Sequence, residues 1–421
     1  MDHVLKILLY SANFAPEPTG IGKYSGEMAA WLAVQGHEVR VVCAPPYYPA
    51  WRIAKGYSWP PYRRERWQGV DVWRAPLWVP LRPGGLARVL HLLSFAIASL
   101  PLMLMQIFWR PAMVMTVAPF FVCAPVGWLT ARLCGARAWL HVQDFEVDVA
   151  FRMGLLKGRL AQSAVLAAER WMLGRFDCVS SISRSMLGRL RHKGVVPERV
   201  RSLPNWVDVD KLRPLTRPSA YREELGIAAD AVVALFSGTL SPKQGLLQIP
   251  AAARLLAHRP EIVFVVCGDG LMKPALEAAC TGLPAVRLLP MQPAERLPEL
   301  LGLADIHLLT QSPDAEDLVL PSKLSGMLAS GRPVIVTCRP GTEIAELVMN
   351  CGARVSPEDA PALAAAIEGL ARAPERRRVL GAAARRLAEQ RMSTASVLSA
   401  LVTDLDGLVL ESGWGERKSR P

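Results

Sequence analysis

Short apolar runs alternate with segments of helical periodicity in the first half of the chain. The run Lys6–Tyr10 precedes a turn-rich loop and predicts a buried strand, and helical spacing then extends over residues 24–34. Further strands are predicted at residues 37–43, 71–75, 113–116, 138–142 and 178–182. Strands that alternate with helices predict a parallel sheet covered on both faces.

The same alternation starts again after a stretch rich in proline and turn formers. Its strands are predicted at residues 232–236, 262–267, 285–288, 306–309 and 334–336. We therefore predict an N-terminal lobe (1–204), a linker (205–218), a C-terminal lobe (219–395), and a C-terminal helix and tail (396–421). The predicted fold class is α/β: two Rossmann-like lobes with parallel sheets facing a central cleft, where ligands bind beyond the strand ends.

Net charge is distributed unevenly between the two predicted lobes. The chain has 421 residues and is 51% hydrophobic, which suits two globular domains. Residues 1–204 contain 25 Lys and Arg against 12 Asp and Glu, whereas residues 205–421 contain 24 against 25. A basic first lobe indicates an anionic partner, either nucleic acid or a membrane surface.

The cysteines indicate a reducing compartment. The eight cysteines form no CxxC pair and no cluster with histidine, and most lie in apolar runs, so neither zinc nor disulfides are expected. The start of the chain lacks the basic and long apolar regions of a signal peptide. We therefore expect a cytoplasmic protein.

Two further segments suit a membrane surface. Residues 89–109 carry no formal charge and are long enough to span a bilayer, but His91 and Pro101 interrupt them. A buried or half-submerged monotopic helix is therefore favoured. Residues 45–67 combine seven Tyr and Trp with five Lys and Arg, a mixture typical of a membrane interface, of sugar stacking, or of single-stranded nucleic-acid binding.

The first lobe offers two candidate sites. Gly20 and Gly22 open the helix after the first strand, where backbone N–H groups can approach an anion, although a tight turn is the alternative. His141 and Asp144 lie at the end of a predicted strand, where they can bind sugar hydroxyls or stabilise developing charge. A hydrogen-bonded structural histidine is the alternative there. The irregular spacing of the neighbouring carboxylates predicts no metal site.

The second lobe offers a glycine-shaped loop after its first strand. Gly238 and Thr239 begin this loop, and Lys243 within it can place a positive charge beside a diphosphate. A solvated loop lysine is the alternative.

Two helix starts add further candidates in this lobe. Ser322 is predicted to cap a short helix, and Lys323 in its first turn opposes the helix dipole unless an anion binds there. Such a local conflict indicates a functional position. Glu343 opens the next helix and either contacts ribose or sugar hydroxyls or is an ordinary acidic first-turn residue.

Taken together, these residues resemble the retaining family 4 glycosyltransferases of the GT-B fold over essentially the whole chain. The supporting motifs are Pro16 and Glu17 with the glycines at 20 and 22, and the segments 36–39, 205–208, 268–270 and 331–334. Residues 46–49 (Pro-Tyr-Tyr-Pro) and 321–324 (Pro-Ser-Lys-Leu) are similar to the branch that builds bacterial capsules and colanic acid.

The resemblance implies a UDP- or GDP-sugar donor in the second lobe, a lipid-linked saccharide acceptor toward the first, and retention at the anomeric carbon without a metal or other cofactor. By match, His141 lies near the donor sugar and Lys243 contacts its diphosphate. The loop that carries Ser322, Lys323 and Leu324 lies beside the phosphates and ribose.

Two positions depart from the family pattern. Thr239 stands where many relatives have arginine. The family's acidic pair falls at Leu318 and Gly326, so Glu316 or Asp317 is expected to replace the first carboxylate.

The resulting expectation is an enzyme held peripherally on the inner face of the cytoplasmic membrane. Its partners are the nucleotide-sugar, the acceptor and an anionic membrane surface. The alternatives are a GT-B sugar-nucleotide epimerase, which needs no membrane, and a non-catalytic two-lobed sugar-nucleotide-binding protein. Nucleic acid is not expected because no recognised binding module accompanies the charge.

Overall fold

The computed structural model describes residues 4–81, 85–118, 121–145, 159–313 and 320–410. Tertiary contacts divide the chain into two compact units. The first unit comprises residues 1–204 and 398–421, and the second unit comprises residues 205–397.

The first unit contains one eight-stranded sheet. Its strands are β1 (Lys6–Tyr10), β2 (Glu38–Cys43), β3 (Arg63–Trp67), β4 (Val70–Arg74), β5 (Met113–Ala118), β6 (Arg137–Val142), β7 (Cys178–Ser181) and β8 (Val200–Ser202). Their order is β3-β4-β2-β1-β5-β6-β7-β8, and β3 alone pairs antiparallel, with β4. The short, charged edge strand β3 was not predicted, and it makes this sheet mixed rather than wholly parallel.

In the described part of the chain before the second unit there are five α-helices. They are α1 (Gly20–Val34), α2 (Gly85–Met105), α3 (Ala124–Cys134), α4 (Arg159–Leu173) and α5 (Arg184–His192). Helix α1 buries Tyr24, Met28 and Leu32, which recur every four residues and therefore share one face. The chain then turns at Gly36, whose φ of 92° suits glycine, and enters β2.

Helix α2 has one buried and one exposed apolar face. On the buried face, Ser99 Oγ lies 2.6 Å from the Tyr10 hydroxyl, Phe95 stacks on the Tyr10 ring at 5.6 Å, and Gln106 Oε1 accepts from Arg40 at 3.2 Å. Within the described part of the chain, Leu86–Phe108 is the one helix whose length and composition would allow it to cross a membrane, and 44% of its most apolar window is buried. The helix is therefore docked on the sheet along one side.

The second unit contains a six-stranded, wholly parallel sheet. Its strands are β9 (Val232–Ser237), β10 (Ile262–Cys267), β11 (Val286–Leu289), β12 (Ile306–Leu309), β13 (Val334–Thr337) and β14 (Gly352–Val355). Their order is β11-β10-β9-β12-β13-β14, which is the strand order of a Rossmann sheet. The crevice of such a sheet lies where the order reverses, here between β9 and β12.

The helices of the second unit cover both faces of its sheet. They are α6 (Tyr221–Glu224), α7 (Gln248–Leu255), α8 (Lys273–Cys280), α9 (Leu297–Leu303), α10 (Lys323–Ala329), α11 (Glu343–Val348), α12 (Ala360–Ala371) and α13 (Pro374–Arg391). Phe236 and Phe264 pack in one apolar cluster, whereas Leu235 and Val265 pack in another. Adjacent strand residues point to opposite faces, so continuously apolar strands are buried on both sides.

The last helix, α14 (Thr394–Leu410), joins the first unit through most of its length. Arg137 Nε donates to the Leu408 carbonyl at 3.1 Å, and Arg201 pairs with Asp404 at 3.3 Å. At the start of the second unit, the Val207 amide donates to the Met392 carbonyl at 2.7 Å, so the beginning and the end of that unit are hydrogen-bonded to each other.

The predicted α/β class with two parallel-sheet lobes is confirmed, apart from the antiparallel β3. The predicted strands of the second lobe lie within one residue of β9, β10, β11, β12 and β13, whereas β8 and β14 were not predicted.

Candidate active site

Loops from neighbouring strands meet at the carboxyl edge of the second unit. The Ser312 amide, after β12, donates to the Lys243 carbonyl, after β9, at 2.9 Å. Thr337 at the end of β13 holds the backbone of Gln311, with its hydroxyl oxygen 2.7 Å from the Gln311 amide. The crevice between β9 and β12 is therefore walled by hydrogen-bonded loops, as expected for a ligand site in this fold.

Gly238, predicted to bind the donor, requires the absence of a side chain. Its φ of 138° is unfavourable for other residues, and an added Cβ would lie 3.3 Å from Lys323 Cδ. A side chain on Gly268, after β10, would overlap with the Gly238 carbonyl. The two glycines let the loops pack closely and leave the space beside Gly238 to Lys323.

Lys323 brings a half-buried amine to this edge. It is half-buried at the first position of α10, its Nζ donates to Gln244 Oε1 at 2.6 Å, and the same atom lies 4.0 Å from the centroid of the Phe236 ring. Burial lowers the pKa of Lys323 to about 7. Within the described residues neither partner is a carboxylate, so an anion beside Lys323 would restore its charge.

Lys243 and Thr239 are both exposed. Lys243 lies in the 3-10 turn Pro242–Gln244, and Thr239 follows Gly238 directly. Both side chains are exposed to solvent. The contact of Lys243 with a diphosphate therefore stays a prediction.

The structure corrects two expectations for the loop at 321–324. Ser322 stands at the N-cap position of α10, but its backbone is helical and its side chain makes no capping hydrogen bond. The capping prediction is therefore wrong, and the Ser322 hydroxyl is exposed. Leu324 is buried and packs in the core with Met327 and Leu328, so its side chain serves packing rather than donor contact.

Glu343 is the first residue of α11 and is half-buried. The preceding Thr342 caps this helix, because its hydroxyl oxygen accepts from the Ala345 amide at 3.4 Å. Glu343 is therefore not needed as the cap. Its predicted contact with ribose or sugar hydroxyls stays a prediction.

In the first unit, His141 lies inside β6 and is buried. Its Nδ1 is 2.9 Å from Ser180 Oγ on β7, and the same oxygen accepts from Trp139 Nε1 at 2.7 Å. Burial lowers the pKa of His141 to about 4, so the imidazole is neutral at pH 7. A catalytic His141 would therefore act by hydrogen bonding rather than as a cation.

The residues after β6 are better placed at the strand end. Gln143 is buried and Asp144 is exposed, and Asp144 lines a cavity in the first unit. No motif in the sequence indicated Gln143, although an amide directly after a predicted parallel strand is a recognisable signal. Glu146 and Asp148, the neighbouring carboxylates whose spacing predicts no metal site, lie outside the described residues.

Glu17 occupies the space predicted for an anionic ligand at Gly22. The Glu17 carboxylate accepts from the amides of Tyr47 and Tyr48, both at 3.0 Å, and a side chain on Gly22 would overlap with it. Burial raises the pKa of Glu17. We therefore correct the phosphate assignment at Gly22: this glycine makes room for a carboxylate of the chain itself. Gly20 faces the Tyr48 ring and lines the same cavity as Asp144.

Two further predictions concern acidic groups. Gly326, where the family has a carboxylate, faces Leu301, and Glu316, Asp317 and Leu318 lie outside the described residues. In the described part of the chain, no three His, Cys, Asp or Glu side chains are grouped to hold a metal ion.

Two domain families match this chain, and known proteins are similar to it. Residues 19–206 match the glycosyl transferase 4-like domain, and residues 231–373 match the glycosyl transferases group 1 family. The chain is 40% identical over 413 residues to the putative colanic acid biosynthesis glycosyl transferase WcaI of Escherichia coli (strain K12), a match that covers 96% of this chain and 100% of the relative. A D-inositol 3-phosphate glycosyltransferase of Geodermatophilus obscurus is 34% identical over 281 residues, covering 63% of this chain and 60% of the relative.

Solved structures share the fold at low sequence identity. Sucrose-phosphate synthase from Thermosynechococcus elongatus has a TM-score of 0.72 at 17% identity, and Anabaena HepE in complex with UDP has a TM-score of 0.68 at 18% identity. Each match covers 96% of this chain and 100% of the other. The chain therefore belongs to the GT-B glycosyltransferases that join a glycosyl transferase 4-like domain to a group 1 domain, and it is a glycosyltransferase.

Proposed function

We propose that this glycosyltransferase moves a sugar from a UDP- or GDP-sugar to a lipid-linked saccharide, with retention at the anomeric carbon, in the assembly of a colanic-acid-like exopolysaccharide or capsule. The observation that carries the proposal is Lys323, a half-buried ammonium beside the glycine loop at the strand-order reversal. The full-length similarity to WcaI supports a colanic-acid-like polymer as the product of the pathway. The complexes of Anabaena HepE with UDP and UDP-glucose support a nucleotide-sugar as the donor.

Bond cleavage gives Lys323 its role in this proposal. Negative charge grows on the diphosphate as the bond from the sugar to the leaving oxygen breaks. Because an approaching anion raises the pKa of an ammonium, Lys323 is protonated when this charge develops. Lys243 and Gly238 contact the diphosphate from the loop after β9, and Glu343 contacts hydroxyl groups of the donor. His141 and Asp144 orient the reacting sugars by hydrogen bonding.

The nucleotide-sugars retained by the purified protein provide the most direct test. We expect mass analysis to find a nucleoside-diphosphate sugar. Incubation with that donor should then release the nucleoside diphosphate only when a lipid-linked acceptor is present. Conversion of the sugar into its epimer without an acceptor would instead identify an epimerase, and retention without turnover would identify a binding protein.

We expect transfer to continue in EDTA. The proposed charge stabilisation uses lysines rather than a divalent cation, and no metal-binding group is seen in the described ranges. Initial rates before and after chelation, with Mg²⁺ and Mn²⁺ added back, make the comparison. Loss of activity that either metal reverses would show that carboxylates near Asp144 hold a cation.

The enzyme is proposed to act on the inner face of the cytoplasmic membrane, held through its basic first unit. Each basic residue near an anionic surface contributes about 1 kcal/mol, and salt screens this attraction, whereas apolar insertion does not depend on salt. We therefore expect binding to anionic vesicles to fall with salt without vanishing. Alkaline extraction should release the protein from membranes. A protein that stays in the membrane after both a high-salt wash and alkaline extraction would instead have a spanning helix.

A further inference from the structure

One hydroxyl group links the end of β13 to the loop after β12. Thr337 Oγ1 accepts from the Gln311 amide at 2.7 Å and donates to the Gln311 carbonyl at 3.0 Å. It also accepts from Gln248 Nε2 at 3.4 Å. A hydroxyl has one donor and two acceptor positions, so the hydrogen-bonding capacity of Thr337 is fully used. Because Thr337 is fully buried, these bonds are made away from water.

Gln248 extends this link to the loop after β9. It is the first residue of α7, and its Nε2 donates to the Gly245 carbonyl at 2.9 Å as well as to Thr337. The packing is so close that a Cβ on Gly245 would lie 2.8 Å from both Gln248 Nε2 and the Gln311 carbonyl oxygen. Three segments of the sheet edge are thus joined by one cluster, here called the loop clamp: Gly245, Gln248, Gln311 and Thr337.

The loop clamp bears on the candidate active site through Gln244. This residue directly precedes Gly245, and its Oε1 accepts from Lys323 Nζ at 2.6 Å. On the other side of Gln244, the Lys243 carbonyl accepts from the Ser312 amide at 2.9 Å. The short segment is therefore fixed at both ends, and it sets the position of Lys243 and of the amide that holds Lys323.

Stability alone does not account for Gln248. The residue is 6% exposed, and within the described part of the chain its buried Oε1 has no hydrogen-bond partner. A buried polar oxygen without a partner lowers stability, and an apolar side chain of similar size would avoid that loss. The amide at this position is therefore explained by what it holds in place.

We propose, building on the proposed function, that Gln248 and Thr337 are positioning residues for the donor site. Neither side chain contacts the nucleotide-sugar. The loop clamp instead holds segment 243–245 so that Lys243 and Lys323 are in place before the diphosphate arrives. Without the clamp the segment samples more conformations, and ordering it on binding lowers the affinity for the nucleotide.

Three threonine variants and one glutamine variant test the loop clamp. Thr337→Val removes the hydroxyl and keeps the branched shape, whereas Thr337→Ser keeps the hydroxyl. Thr310→Val is the matched control, because Thr310 is equally buried and its hydroxyl has no partner among the described residues. Gln248→Met removes the amide and keeps an unbranched side chain of similar length. The probes are UDP and GDP.

We expect Thr337→Val and Gln248→Met each to weaken nucleotide binding about tenfold in calorimetry, the scale of one lost hydrogen bond. Thr337→Ser and Thr310→Val should bind like the wild type. Thermal unfolding of the same samples should show Gln248→Met melting close to the wild type, because the amide that it removes includes the unpartnered oxygen. Its loss of affinity is then not a loss of folded protein.

The outcomes separate the positioning role from the proposed function. Wild-type affinity in Gln248→Met, a tenfold loss in Thr337→Ser, or an equal loss in Thr310→Val would overturn the positioning role and leave the proposed function in place. If the wild type binds neither UDP nor GDP, the proposed donor is wrong and the positioning role falls with it. Thr337→Val leaves the Gln311 amide without its partner, so if this variant does not fold, Gln248→Met decides alone.

Discussion

Lys323→Ala is expected to weaken binding of the free nucleoside diphosphate by about 1.5–3 kcal/mol, the scale of a hydrogen bond to a charged group. Lys323 is half-buried against Gln244 and Phe236, so the proposed contact with phosphate would form away from bulk water. The matched variant is Lys243→Ala on the neighbouring loop. The exposed Lys243 is better screened by water, so we expect its loss to fall at the lower end of that range.

Titration calorimetry with UDP and GDP tests the two variants without knowledge of the sugar. Unchanged affinity in both would discard the phosphate assignment for this edge of the sheet. A larger loss in Lys243→Ala than in Lys323→Ala would show that the exposed loop, rather than the half-buried ammonium, provides the main phosphate contact.

The pH dependence of this binding has a definite sign. The free enzyme holds the pKa of Lys323 at about 7, and a bound diphosphate raises it, so binding above pH 7 takes up a proton. Affinity should be greatest below pH 7 and decrease as the pH rises above it. Measurements above pH 7 avoid the terminal phosphate, which titrates near pH 6. Lys323→Ala should remove the slope, and a flat wild-type profile would contradict the assignment.

His141→Ala is expected to lower kcat by about 10²–10⁴-fold, the usual cost of losing a positioned catalytic group. His141 is buried on β6 and hydrogen-bonded to Ser180, so the variant also removes packing. Ser180→Ala is the appropriate comparison, because it frees the ring without deleting it. If His141 positions or contacts substrate, Ser180→Ala should lower kcat to an intermediate value.

Turnover measured beside a thermal unfolding curve separates catalysis from stability for His141. Near-normal turnover in a folded His141→Ala protein would remove this residue from the site. Because burial lowers its pKa to about 4, the His141 ring should add no titration to the rate profile between pH 6 and 8.

The inner strands of the second unit, β9, β10, β12 and β13, were predictable because burial on both faces makes them largely apolar. The runs Ile262–Cys267 and Ile306–Leu309 appear in the structure with the bounds that the sequence predicts. By contrast, β3 (Arg63–Trp67) is an edge strand that pairs on one side only. Four of its five residues are charged, so it has no apolar pattern that would predict a strand.

The candidate site was predictable in place but not in detail. Motifs correctly indicated Gly238 and Lys323 at the carboxyl edge of the sheet, because loops after parallel strands collect there. They did not indicate that the Leu324 side chain enters the core or that Glu17 fills the space at Gly22. Those outcomes depend on which way a side chain turns and on a partner distant in sequence, which local patterns do not report.

The hydrogen bond between Val207 and Met392 indicates which fragments of the protein can be expressed separately. The second unit begins and ends at neighbouring points, so residues 205–397 resemble a domain inserted into the first unit and could be expressed with their ends side by side. A deletion after residue 397 would have the opposite effect. It would leave the second unit intact but remove the partners of Arg137 and Arg201 on α14. A C-terminal truncation would therefore destabilise the N-terminal sheet.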